Sequence, residues 1–310
     1  MDVVLKTVGL TKSFGSRTVV DNITLETYAG EVFGFLGPNG AGKTTTIKMI
    51  LGLLSRDAGD IYINGIDTRK DFEGAMAGIG GIVENPEMYN YLTGLQNLRQ
   101  YRRIRSGVTH ERISEVVRLV GLENRIREKV KRYSLGMKQR LGIAQSLMHY
   151  PRVLILDEPT NGLDPAGIKE LRDMLKGLAH EQKVGVFVSS HLLSEMQLMC
   201  DRVGIISNGK LVDVRTAGEL SGNENEAESV YRLTVEPAET AAGLIANIEN
   251  AEVLHCGPQY VDVRMADEDV NSIVAQLISG GVQLRGVTKQ EKTLEDMFIE
   301  VTGGGGRQIE

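Results

Sequence analysis

The sequence predicts an α/β chain. A parallel sheet covered on both faces carries an antiparallel β layer and a helical insert, and a small α+β module follows. Three observations carry that expectation. A buried-strand pattern at residues 31–36 runs through a glycine-rich turn into a helical pattern at 45–54. Two short apolar runs, 153–156 and 184–188, flank a helix expected over 166–181. Such runs fit strands covered on both faces of a parallel sheet. Beyond residue 230 the order becomes strand, helix, strand, strand, helix, strand.

Along the chain, residues 1–30 alternate apolar and polar (Val3, Leu5, Val8, then Val19, Ile23, Leu25), as half-buried antiparallel strands do. In the helix at 45–54, Ile47, Ile50, Leu51 and Leu54 keep one apolar face. A strand is expected at 60–63, with a turn at Asn64-Gly65. Helical spacing then takes over, in Ile113, Val116, Val117, Val120 and Leu122, with Gly121 as the expected helix stop, and again at 140–148 before Pro151. The stretch 216–229 is polar, acidic and poor in bulky apolar groups, so the domains are expected to be 1–220, with a helical insert at about 85–150, and 221–310. The second has the β-α-β-β-α-β order of a ferredoxin-like unit. A further helix is expected at 294–301, and Gly303 to Gly306 as a flexible end.

Gly37-Pro38-Asn39-Gly40-Ala41-Gly42-Lys43-Thr44 matches G-x-x-x-x-G-K-[ST], a loop that wraps a nucleotide triphosphate. Its glycines let successive N–H groups point at a phosphate with no Cβ in the way. Lys43 puts a compact charge on the β- and γ-phosphates, the Thr44 hydroxyl is a ligand for Mg²⁺, and Thr45 opens the helix aimed at the phosphates. A second carboxylate-bearing strand follows at 153–158, where Asp157 and Glu158 end an apolar run. Open α/β sheets hold ligands at that end of a strand. Asp157 can reach a metal, and Glu158 can orient an attacking water and accept its proton.

The 310 residues, 41% hydrophobic and 25% charged, fit one large and one small globular domain. No stretch approaches 18 consecutive apolar residues, and the N-terminus lacks a secretory pattern. Cys200 and Cys256 stand apart, as buried thiols in a reducing compartment would. A net charge of −6 argues against nucleic acid as a partner. The local cluster Arg125, Arg127, Lys129, Lys131, Arg132 reads as a solvated face.

The order of motifs resembles the ATP-binding subunit of an ABC transporter. It runs from the lysine loop through a helical insert to Tyr133-Ser134-Leu135-Gly136-Met137-Lys138-Gln139-Arg140. The Asp157-Glu158 strand, Asn161-Gly162-Leu163-Asp164 and His191 come next. The resemblance covers residues 3–220. It implies a P-loop NTPase fold binding ATP and Mg²⁺, in which two nucleotide domains close head to tail and each signature completes the other's site. Ser134 and Gly136 are then the signature groups facing a γ-phosphate, His191 the switch histidine, Asp164 a group signalling across the dimer, and Phe14 a platform for adenine. Capping of a following helix is the plainer role for Ser134 and for Asp164, and core packing for Phe14.

This chain departs from the family's usual L-S-G-G-Q at Tyr133, Leu135 and Met137. Glu84 stands where a glutamine that touches Mg²⁺ or the lytic water is usual; a carboxylate still accepts but, ionised, cannot donate. The resemblance implies a second ATP-binding subunit, most simply another copy, and a separately encoded membrane-spanning permease. The chain would then be a cytoplasmic protein held peripherally at the inner face of the membrane. Residues 85–100, with Met88, Tyr89, Tyr91 and Leu92, are the expected socket for that permease. The signature string, Glu84 and Thr293-Leu294-Glu295-Asp296-Met297-Phe298 are similar to exporters of the bacitracin-resistance and lantibiotic-immunity kind. A regulatory subunit with little turnover, and a soluble ATPase of DNA repair or translation, stay open as alternatives.

Overall fold

The computed structural model describes residues 2–105, 107–217, 229–248 and 250–290. They fall into two compact units, divided between Ala217 and Gly218.

In the first unit the parallel strands lie together because their side chains have no polar face to offer water. Strands β3 (Val32–Leu36), β7 (Val153–Asp157) and β8 (Gly185–Ser190) are buried at every position. They join β6 (Ile79–Ile82), β9 (Arg202–Ser207) and β10 (Lys210–Thr216) in a six-stranded sheet of order β10-β9-β3-β8-β7-β6. All pairs are parallel except β10 with β9. Phe187 stacks on Phe33 at 5.6 Å between ring centroids and meets Phe35 at 5.4 Å, which locks β8 beside β3. Register then decides where the chemistry sits. Leu36 pairs with Ser190 and Asp157 with Ser189, so the carboxyl ends of β3, β7 and β8 are level.

β1 (Val3–Phe14), β2 (Arg17–Tyr28), β4 (Ala58–Ile63) and β5 (Ile66–Asp67) form the antiparallel layer, in order β2-β1-β4-β5. Asn64 and Gly65 both take positive φ, 51° and 78°, as a two-residue hairpin turn requires. α1 (Lys43–Ile50) follows the glycine loop, and α2 (Phe72–Ala77) precedes β6. The helical insert holds α3 (Gly94–Ile104), α4 (His110–Leu119) and α5 (Leu135–Leu147), with α6 (Pro165–His180) and α7 (Leu193–Met199) later. α5 starts five residues before its apolar spacing becomes readable, because Ser134 caps it through the Met137 amide at 3.2 Å. Strands β6, β9 and β10 and helix α2 were not legible in the sequence. Gly80-Gly81 and Gly204 interrupt their apolar runs, and β10 is a half-exposed edge.

The second unit is an antiparallel sheet of order β12-β13-β11-β14, from β11 (Ser229–Glu236), β12 (Ala251–Cys256), β13 (Tyr260–Met265) and β14 (Gln283–Gln290). Helices α8 (Ala238–Ile245) and α9 (Val270–Ser279) contribute Ala241, Ile245, Ile273 and Leu277 to a core with Leu233, Val261 and Val263. This is the expected ferredoxin-like order. Cys200 is buried, and burial pushes its thiol pKa up. Cys256 is exposed, against the expectation of two buried thiols, because β12 is an edge strand. The helix expected at 294–301, the glycine end and most of the polar stretch 216–229 lie outside the described residues. Among the described residues no helix is long and apolar enough to cross a membrane.

Candidate nucleotide site

The level strand ends gather the lysine loop, the acidic pair and His191. Gly40 and Gly42 take φ of +81° and +109°, conformations that a side chain would strain. A Cβ on Gly37 would overlap the Ile206 carbonyl oxygen, and one on Gly42 would lie 2.7 Å from the Val19 carbonyl oxygen. Gly42 also precedes α1 without capping it, which leaves first-turn amides for an anion. Asn39 and Gly40 are exposed at the crest, Ala41 is buried, and Pro38, Thr44 and Thr45 are half-buried.

Lys43 is buried. Its ammonium donates to the carbonyl oxygens of Gly37 at 2.7 Å and Pro38 at 3.2 Å and pairs with Glu158 Oε1 at 3.2 Å. His191 Nδ1 meets the other oxygen of Glu158 at 2.8 Å. Glu158 itself sits at φ 48°, which costs on the order of 1 kcal/mol or more for a residue with a side chain. Ser189 holds it there. The Ser189 hydroxyl accepts from the Glu158 amide at 3.0 Å and donates to Asp157 Oδ1 at 2.6 Å. Sequence reasoning did not single out Ser189; its signal is a polar pair, Ser189-Ser190, closing an apolar strand. Thr160 likewise donates to Glu195 at 2.5 Å, tying the turn after Glu158 to the first turn of α7.

The residues fit ATP with Mg²⁺. The loop offers amides and an ammonium at one place, and Thr44 and Asp157 are oxygen donors suited to a hard cation. Among the described residues no group of three or more His, Cys, Asp or Glu could hold a metal alone.

The other expected site residues lie apart from this cluster. Ser134, Gly136 and Asp164 line a cleft of about 360 Å³ with Gln139 and Arg140, and neither Lys43, Glu158 nor His191 lines it. Asp164 caps α6 through the Gly167 amide at 3.0 Å, with Pro165 at the first helical position. Tyr133, where leucine is usual, is buried and donates to the Arg125 carbonyl at 2.8 Å. Phe14 ends β1 and is 51% exposed. The Lys12 ammonium lies 5.5 Å from the ring centroid and is pinned by Asp57 at 2.7 Å. Glu84 takes φ 62° and pairs with Lys48 at 3.1 Å, its side chain 70% exposed.

Comparison with known proteins identifies the family. The family profile described as "ABC transporter" matches residues 20–161. The chain is 47% identical to the ABC transporter ATP-binding protein YhcH of Bacillus subtilis, over 100% of this chain and 99% of that one. It is 39% identical to the bacitracin transport ATP-binding protein BcrA of Bacillus licheniformis, over 98% and 99%. Among solved structures, cbiO1 of Clostridium perfringens, part of the ABC transporter complex cbiONQ, matches with TM-score 0.65 and 26% identity. That match spans 71% of this chain and 91% of that one. The chain therefore belongs to the ATP-binding subunits of ABC transporters, and it is an ABC-type ATPase that uses ATP and Mg²⁺.

Proposed function

We propose that two copies of this chain close head to tail over two ATP molecules and drive a separately encoded permease that exports peptide antibiotics. The motor is residues 1–220, and 221–310 form an accessory module. The observation that carries this reading is the continuous chain of contacts from Lys43 through Glu158 to His191. The second support is that Ser134, Gly136 and Asp164 line a separate cleft, which suits a phosphate presented by a partner. The export assignment rests on the likeness to the bacitracin transport subunit, which runs the length of both chains.

In this mechanism the loop from Gly37 to Thr45 receives the triphosphate. Lys43 exchanges its carbonyl partners for β- and γ-phosphate oxygens, and Phe14 stacks on adenine. Thr44 and Asp157 would hold Mg²⁺, which would supply charge neutralisation on the phosphates; Glu84, paired with Lys48, would offer it a further carboxylate oxygen. Glu158 accepts a proton as water attacks the γ-phosphorus and the bond to the β-phosphate oxygen breaks. Glu158 accepts the proton on His191 Nδ1, so Nε2 is the atom left for the γ-phosphate and donates to it when the ring is protonated. Closure and reopening then move the permease, against which the chain rests on the cytoplasmic side.

The test is ATP turnover by the wild type and by Glu158→Gln. The variant is expected to lose turnover by roughly 10²-fold or more while still binding ATP. Equal turnover would remove Glu158 from the role of base. A wild type that binds ATP without hydrolysing it would favour a regulatory subunit.

A further inference from the structure

Leu135 opens α5, and Gly162 and Leu163 lie in the turn that leads into α6. With Ser134, Gly136 and Asp164 they line one cleft. The two turns meet leucine on glycine, in both directions. A Cβ on Gly162 would lie 3.0 Å from Leu135 Cδ2, closer than ordinary van der Waals contact, and one on Gly136 would lie 3.7 Å from Leu163 Cδ2. Each leucine methyl thus takes up room that the opposite glycine leaves. Among the described residues Leu135 alone comes within 4 Å of the Gly162 position, chain neighbours aside. Gly162 also takes φ +74°, so a side chain there would be strained as well as obstructed. Leu135 is 39% exposed, the rest of it being covered within its own subunit. It is one of the three departures from L-S-G-G-Q, and a glycine in its place could make no such contact.

Both turns are anchored at their ends. The Ser134 hydroxyl accepts from the Met137 amide at 3.2 Å, and the Asp164 carboxylate accepts from the Gly167 amide at 3.0 Å. Arg140 on α5 pairs with Glu170 on α6 at 3.3 Å, a partly exposed pair that adds little stability. Upstream, the second turn hangs on the base itself. The Asn161 amide donates to the Glu158 carbonyl at 3.2 Å, and the Leu163 amide to the Thr160 carbonyl at 3.1 Å. Among the described residues no side-chain hydrogen bond holds residues 161–163. The sideways hold on that stretch is therefore the apolar contact with Leu135.

We propose that Leu135 is a positioning residue whose side chain clasps Gly162, so that the signature turn and the 161–164 turn of one subunit are presented to a partner as one body. The proposal rests on the reading of this cleft as the receiver of a partner's phosphate and adds what keeps its two walls in step. The clasp is apolar and internal to the subunit, so it is made before a partner arrives. A cleft set in advance loses less freedom when it is filled. The same contacts run without a gap from Leu135 to Gly162, and through the Asn161 amide to the carbonyl of Glu158. A displacement of the signature turn therefore bears on the turn that begins at the subunit's own base.

The experiment has two readouts on the full chain: amide hydrogen exchange without nucleotide, and ATP-driven dimerisation in the Glu158→Gln background. Leu135→Gly should speed exchange at residues 161–164 about fivefold or more and leave residues 37–45 at the wild-type rate. Leu135→Met, close in volume, should stay near the wild type. Lys138→Gly weakens α5 through its backbone but removes nothing from Gly162, so it should leave 161–164 unchanged. Leu135→Gly should also weaken dimerisation about fivefold or more, while the ATP affinity of the single chain stays within about twofold. Circular dichroism melting checks that each variant folds. Exchange at 161–164 indifferent to Leu135→Gly overturns the clasp, and weakened dimerisation with that unchanged exchange places the leucine against the partner instead. Faster exchange with undiminished dimerisation overturns the presenting role. A Glu158→Gln chain that binds ATP and stays monomeric defeats the reading of the cleft itself, whatever the exchange shows.

Discussion

Lys43, Glu158 and His191 come from the segments that follow three strands far apart in sequence, and each is placed by its backbone. Lys43 opens α1, Glu158 is turned to positive φ behind β7, and His191 follows the last residue of β8. The lysine loop and the acidic pair were legible because the demands on them are local: glycine where a Cβ would overlap Ile206 or Val19, carboxylates where an apolar run ends. Ser189 was not, since its bond to Glu158 spans 31 residues and leaves no local pattern. Phe14 gives the clearest residue-scale prediction. Phe14 is half-exposed and packs in no core, so Phe14→Ala should leave thermal stability within about 0.5 kcal/mol. Loss of base stacking, worth about 1–3 kcal/mol, should weaken ATP binding roughly 5- to 150-fold. Phe14→Trp should retain affinity. Fluorescent-nucleotide titration checks both, and an unweakened alanine variant would remove Phe14 from the adenine site.

At the scale of elements, periodicity and caps located most helices, and the misses have physical causes. The apolar spacing of α5 is readable only from Arg140, because Gly136, Lys138 and Gln139 interrupt it, and its start is marked by Ser134 as a cap. Ser134→Ala should therefore lower stability by about 1 kcal/mol in denaturant melts. The connection from α5 to β7 carries a titratable joint. His149 Nε2 lies 2.8 Å from the Ile79 carbonyl, so that nitrogen carries the proton. Nδ1 lies 3.4 Å from the Tyr101 hydroxyl on α3. Burial, with Arg105 and Arg112 adding repulsion, lowers the His149 pKa below its ordinary 6.5 despite the bond to Ile79. The folded form therefore resists protonation more than the unfolded chain does. Its stabilisation is complete above pH 6.5 and is lost as pH falls through the depressed value. His149→Gln, which keeps an N–H donor, should flatten the fall of melting temperature on acidification below that pH. An unchanged slope would place the acid sensitivity elsewhere.

At the scale of the molecule, the first unit has a hydrophobic core around Phe33, Phe35 and Phe187, and the second has its own around Leu233, Val261 and Val263. Calorimetry should resolve two unfolding transitions, and Mg²⁺ with ATP should raise only that of the larger unit, by mass action on the folded state. A single transition that moves as one would mean the units unfold together. In the sequence, a complete β-α-β-β-α-β order returns after residue 230. The proposed pairing between two copies rests on a fainter trace: Ser134, Gly136 and Asp164 line a cleft that Glu158 does not.

That separation is tested most directly by sedimentation velocity of Glu158→Gln with saturating ATP and Mg²⁺. The account predicts a dimer that returns to monomer when Ser134→Glu is added, with one ATP still bound per chain. A Glu158→Gln chain that stays monomeric while saturated with ATP would contradict it.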